Sequence, residues 1–249
     1  MKPFEYEPIN QLKPIAKNIW IVDGEKLDMS FGPIEVPFPT RMTVIKLENG
    51  DLWLHSPIQP TDKLVKQLKT MGKVAHLISP NKLHYSYIAK WKELFPSALS
   101  WSSPGVIERA SAKGTTLKFD RELGQTPPEE WSSEINQLIF TGSRAVEEVV
   151  FYHIDSQVLI LTDLIENFDL ERAPNKFWQK IYKLAGISAP NGKTPVDFRM
   201  TFFGNKKLVR KHVEKIIDWK PEKIVLSHGD IFTENAVEEI KRAFRWALK

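Results

Sequence analysis

Six histidines and no cysteine set the terms for any chemistry in this chain. Without a thiol there is no disulfide, no thiolate zinc site and no thiol nucleophile, so a metal must sit on histidine, carboxylate, asparagine or backbone oxygen. His55, His84 and His228 each fall at or just past the end of an expected strand. Layered α/β sheets gather ligand and catalytic groups at such ends. Asp163, in LILTDLIENF, follows an apolar run, and a carboxylate there has to be solvated, paired or bound to a cation. His153 closes the alternating stretch EEVVFYH and faces either a crevice or solvent. His76 lies inside an apolar run and reads as an interior histidine. His212 reads as the surface of a basic helix.

The elements that must position these residues follow from periodicity. Short β-branched runs at 19–22 and 42–47, then an Asn49-Gly50 turn into Asp51–His55, predict the opening strands of an antiparallel sheet. Pro33, Pro37 and Pro39 predict a loop between the first two. Leu64, Leu68 and Met71 on one face, behind a Thr61 cap, predict a helix over 61–71. An apolar run at 74–78 predicts a buried strand, 79–85 a loop, and 87–95 a helix ended by Pro96. From 97 to 131 the Gly, Pro and Ser content predicts a short strand at Ser100 followed by an exposed excursion. Strands are expected at 135–140, 148–153 and 158–161, with a turn at Asp155-Ser156. Helices are expected at 177–185, 206–219 and 233–248, with a buried strand at 224–227 before His228.

Composition bounds the function. The chain has 249 residues, 42% of them hydrophobic and 27% charged, a globular balance that one core can accommodate. A net charge of +4 comes from 35 basic and 31 acidic residues that are interspersed, so neither nucleic acid nor a membrane is an expected partner. No run is long enough to span a bilayer and the first residues lack a signal peptide's apolar stretch, so a cytoplasmic protein is expected. Signatures of a serine-hydrolase elbow, a phosphate loop and a dinucleotide fingerprint are all missing.

In order, the Asn49-Gly50 turn, a helix, VAHLISPNKLH, EEVVFYH, LILTDL and IVLSHGD are similar to the strand-end landmarks of the metallo-β-lactamase superfamily. More closely, PNKLH, EEVVFYH and LTDLIENF resemble a bacterial domain-of-unknown-function family within it. The resemblance runs from about residue 15 to the C-terminal helix. It implies an α/β fold, a four-layer αβ/βα sandwich, with residues 1–249 as a single domain.

The superfamily's metal motif is His-x-His-x-Asp-His. Aligned on His84, it places Ser79, Asn81 and Leu83 at the other ligand positions, and Ser143 or Arg144 stands where a further histidine belongs. The resemblance therefore implies that one metal site is lost. Of the other it leaves His84, Asp163 and His228, enough for one divalent metal such as Zn, Fe or Mn. If that site too is degenerate, the three form only a hydrogen-bonded cluster and no metal is bound. The expected function is a metal-dependent hydrolase of a small molecule, with His55 or His153 moving protons. The alternatives are a non-catalytic relative that binds a small anionic ligand through Lys82, Arg144 and the histidines, and a non-haem iron site.

Overall fold

The computed structural model describes residues 2–31 and 34–249. The chain divides into two compact units, Pro3–Leu123 and Gly124–Lys249, the second including Lys2.

In the N-terminal unit the strands are β1 (Lys13–Ala16), β2 (Ile19–Asp23), β5 (Arg41–Lys46), β6 (Asp51–His55), β7 (Lys73–Ser79), β8 (Leu99–Ser102) and β9 (Arg121–Glu122). They form one sheet in the order β1-β2-β5-β6-β7-β8-β9. Pairing is antiparallel as far as β6 and parallel from β6 to β9, because helices enter the connections. These are α1 (Asp62–Met71), α2 (Ile88–Leu94) and α3 (Val106–Ala112). Helix α1 starts where the Thr61 hydroxyl accepts the Leu64 N–H at 3.3 Å. It buries Leu64 and Leu68 completely against Val44, Leu52 and Leu77 of the sheet, each leucine contributing about 1.5–3 kcal/mol.

Two expectations for this unit need correction. The proline-rich connection is a two-stranded ribbon of β3 (Leu27–Phe31) and β4 (Ile34–Phe38), with Pro37 in register with Asp28. In a ribbon every strand is an edge, so a residue lacking an N–H can face outward at no cost to the ladder. Pro33 lies outside the described residues. The segment 97–131 is exposed over most of 111–130, as expected, but it also carries a helix that its composition hides. It holds α3 as well as β8 and β9, and Val106, Ala110, Leu123 and Trp131 are buried.

The C-terminal unit has β10 (Ile135–Phe140), β11 (Glu148–His153), β12 (Val158–Leu161) and β13 (Lys223–Leu226) in that sheet order. Around them run α4 (Lys176–Ala185), α5 (Val196–Met200), α6 (Lys206–Asp218), α7 (Ala236–Ala243) and α8 (Arg245–Leu248). The basic helix α6 buries Val209, Val213 and Ile216, the spacing of one helical face. The expected long final helix is broken at Phe244, which ends α7 and begins α8 with its ring buried. Strands β12 and β13 are parallel, in register from Val158↔Lys223 to Leu161↔Leu226, so whatever follows their last residues emerges at the same end of the sheet.

Candidate metal centre

That register brings two of the expected ligands together. Asp163 and His228 each stand two residues beyond the Leu161↔Leu226 pair. Their side chains meet with His228 Nε2 3.1 Å from Asp163 Oδ1, both residues being buried. The His228 ring stacks on Phe168 at 6.4 Å between centroids, and its carbonyl accepts the Asn167 N–H at 3.3 Å.

Gly229 makes this turn feasible. Its φ of +94° is left-handed, and a Cβ there would lie 2.2 Å from the Asn167 carbonyl oxygen. Gly229→Ala is therefore expected to destabilise the protein by at least about 1–3 kcal/mol. Denaturant unfolding checks this, and a midpoint equal to that of the unsubstituted protein would contradict it.

Two further carboxyl groups, absent from the sequence reading, surround Asp163. Glu148, the first residue of β11, is fully buried and accepts the N–H groups of Thr162 (2.7 Å), Asp163 (2.7 Å) and Leu164 (3.2 Å). Burial, and then the charge of Asp163, push its pKa up to about 8, against those three hydrogen bonds. Glu166 is also buried and is pushed well above the usual carboxylate range by burial and then by Asp163, Asp197 and Glu148. A glutamate at the start of a strand is ordinary in sequence; only the return of residues 162–164 past it gives Glu148 its role.

His84, in the N-terminal unit, is placed by its own loop. Asn81 Oδ1 accepts the N–H groups of Leu83 (2.8 Å) and His84 (3.2 Å), while the Ser79 hydroxyl donates to the Asn81 carbonyl at 3.3 Å. Ser79 and Asn81, both fully buried, thus organise the loop. The His84 Nδ1 lies 2.7 Å from Ser56 Oγ. Ser56 has a φ of +51°, a left-handed conformation just past β6 that is costly for serine. His55, the residue before it, is buried and stacks on Trp53 at 5.7 Å.

His153 stands elsewhere. It pairs with Val158, at the end of β12 opposite to the one Asp163 follows, and its Nδ1 accepts the Ser156 N–H at 3.3 Å. This position gives it no access to Asp163 or His228 along the sheet, and the expected proton-moving role does not fit it. Burial lowers its pKa below 6.5, so the unfolded chain binds the proton more readily. Its share of stability is present above pH 6.5 and is lost as pH falls through the depressed folded value. His153→Gln should make the loss of stability between about pH 7 and 5 shallower, as followed by urea midpoints; an unchanged slope would contradict this.

The other histidines are structural. His76 is buried and accepts the Trp101 indole N–H at 3.2 Å. His212, expected on the surface, is half-buried beside Phe140, with Nε2 3.0 Å from Thr141 Oγ1. Arg144 lies on the loop after β10, its N–H on the Thr201 carbonyl.

The fold these units build is the metallo-β-lactamase fold. The chain is similar to a metallo-β-lactamase from Pontibacter korlensis (12% identity, 96% of this chain and 99% of that one, TM-score 0.60). It is also similar to the metallo-β-lactamase FIM-1 from Pseudomonas aeruginosa in its mono-zinc form (8%, 96% and 96%, TM-score 0.62). A third likeness is to the Flv1 flavodiiron core from Synechocystis sp. PCC6803 (13%, 96% of this chain and 60% of that one, TM-score 0.62). No curated protein matches in sequence. Within that fold class the chain belongs to the family described as Domain of unknown function (DUF4336), whose model matches residues 17–183. Among the described residues no helix is long and apolar enough to cross a membrane.

Proposed function

We propose that this protein is a metal-dependent hydrolase of a small molecule, with one divalent ion, Zn, Fe or Mn, held by His84, Asp163 and His228. The reading treats residues 1–249 as one domain and places it in the cytoplasm. The observation that carries it is the approach of Asp163 Oδ1 to His228 Nε2, 3.1 Å apart. Two ligand atoms at about 2.0–2.2 Å from one ion and roughly at right angles are about 3 Å apart, so the pair is spaced as ligands as well as hydrogen-bond partners. Its nitrogen and carboxylate donors suit zinc, iron and manganese. Burial and the charge of Asp163 hold Glu148 and Glu166 toward their neutral forms, so negative charge is costly at this site, a cost that a bound cation offsets.

When bound, such an ion acidifies a water and polarises a substrate carbonyl or phosphoryl oxygen. The chain's own residues do the rest. Ser56 fixes the His84 ring through Nδ1, which assigns Nε2 as the ligating atom. Phe168 and the Asn167 backbone hold His228, and Glu148 holds the backbone at Asp163. His55 is assigned to proton transfer.

The test is metal analysis of protein purified without an affinity tag. Near-stoichiometric Zn, Fe or Mn, with a thermal midpoint that drops on chelation, is expected. Absence of all three together with no uptake on reconstitution would sink the reading.

One observation favours the second reading, a non-catalytic relative that binds a small anion. Lys82, on the His84 loop, lines a cavity of about 190 Å³ together with Arg109 and Lys113. On that reading the midpoint rises with small anions and ignores chelators and added metals.

A further inference from the structure

A second cavity, of about 460 Å³, lies within the C-terminal unit, lined by Lys193, Arg199, Ala243, Arg245, Trp246 and Lys249. Four of these are cations and none is an acid. Among the described residues none of the four cationic side chains makes an ion pair or a hydrogen bond, although the Lys249 backbone oxygen accepts from the Arg210 guanidinium at 2.9 Å. The neighbouring helix behaves differently: on α7, Lys241 is paired with Glu238 and Arg242 with Glu239, each at 2.7 Å. Leaving four cations unmatched around one concavity raises the energy of each, a cost that a bound anion removes.

The wall is built rather than incidental. Lys193 is set by a backbone bridge, its carbonyl accepting the Glu166 N–H at 3.3 Å. Its aliphatic stem is bedded on Gly186, where a Cβ would come within 2.3 Å of the lysine Cε. Trp246 packs against Phe202 at 5.8 Å and Phe244 at 6.4 Å, and its indole N–H is buried without an acceptor. The volume is that of a small-molecule site.

We propose that this cavity binds a diphosphate-bearing small molecule. A diphosphate carries about −3 at neutral pH, against about −1.5 to −2 for a single phosphate, and so offsets most of the charge of the four cations. The two guanidinium groups offer the planar fork that pairs bidentately with phosphate oxygens. The site uses none of His84, Asp163 and His228 and does not depend on a metal.

Inorganic pyrophosphate is the probe, titrated calorimetrically into the full chain after chelator treatment. One-to-one binding is expected, weakening as salt rises. The double variant Arg199→Gln/Arg245→Gln should lose affinity by about tenfold or more with its thermal midpoint unchanged. Arg245→Gln alone, at an exposed position, should lose several-fold and serves if the double variant does not fold. Lys82→Ala and Asp163→Asn should bind as the unsubstituted protein does, which separates this cavity from the anion cavity near His84 and from the metal centre. Binding should also change tryptophan fluorescence, and Trp246→Phe should remove that change. No binding at about 1 mM pyrophosphate, equal affinity for citrate, or affinity unaffected by the arginine substitutions would overturn the proposal.

Discussion

Replacing Asp163 by asparagine is expected to weaken divalent-metal binding by more than about 100-fold while leaving the metal-free protein at least as stable as before. Removing a ligand costs more than removing an outer partner, and outer partners alone are worth about 10–100-fold. The stability expectation has the opposite sign for an electrostatic reason. Asp163 raises the cost of charging both Glu148 and Glu166, so neutralising it relieves repulsion in a buried site. Its hydrogen bond to His228, 3.1 Å long, can still be made by an amide oxygen. Metal-titrated calorimetry and chelator-treated thermal melts read the two effects separately. If the pair is a structural hydrogen bond and nothing more, Asp163→Asn should leave any metal response unchanged.

The second large effect concerns Glu148. Its carboxylate is the acceptor for three consecutive backbone N–H groups, each of which would otherwise be buried without a partner at about 1–3 kcal/mol. Glu148→Leu is therefore expected to cost about 3–5 kcal/mol or to prevent folding, with loss of metal binding because Asp163 sits in that turn. In the metal-free protein the folded chain holds the Glu148 proton more tightly than the unfolded one. The folded pKa is about 8 against an ordinary 4.5, so this group's contribution is complete below about pH 4.5 and is lost as pH rises through about 8. Adding the cognate metal should shrink or abolish that loss, because a nearby cation favours the carboxylate and draws the folded pKa back toward the ordinary value. Denaturant midpoints between pH 5 and 9, with and without metal, measure this. A flat profile in the metal-free protein would contradict the assignment.

Legibility from sequence followed the kind of signal each element carries. Helix α1 was readable because cap, charge and apolar face agree at Thr61, Asp62, Leu64 and Leu68. The strands around Asn49-Gly50 and at 148–153 were readable because turn residues bound apolar runs. The ribbon of β3 and β4 was hidden because a proline rule drawn from interior strands does not hold where both strands are edges. Helix α3 was hidden in a segment whose Gly and Pro content marks its flanks, not its body.

For the candidate centre, residue type and strand-end position nominated Asp163 and His228, but their meeting depends on β12 pairing with β13 across more than sixty residues of sequence, information that local periodicity lacks. The same holds for Glu148, which becomes important only when the chain returns past it. Asn81 shows the converse. Its position marked a lost ligand, and its chemistry, an amide following Pro80, is that of a turn; the structure has it accepting the N–H groups of Leu83 and His84. Likeness of fold therefore extends further than likeness of function, and the ligands have to be tested in this chain.

X-ray absorption spectroscopy of the bound metal tests the central claim most directly, on untagged protein and on the His84→Ala and His228→Ala variants. The account predicts one ion per chain with light N/O neighbours at about 2.0–2.2 Å and the multiple-scattering signature of two imidazoles, falling to one in each variant. A chain that takes up no metal, or an ion whose spectrum is indifferent to both histidines, would contradict it.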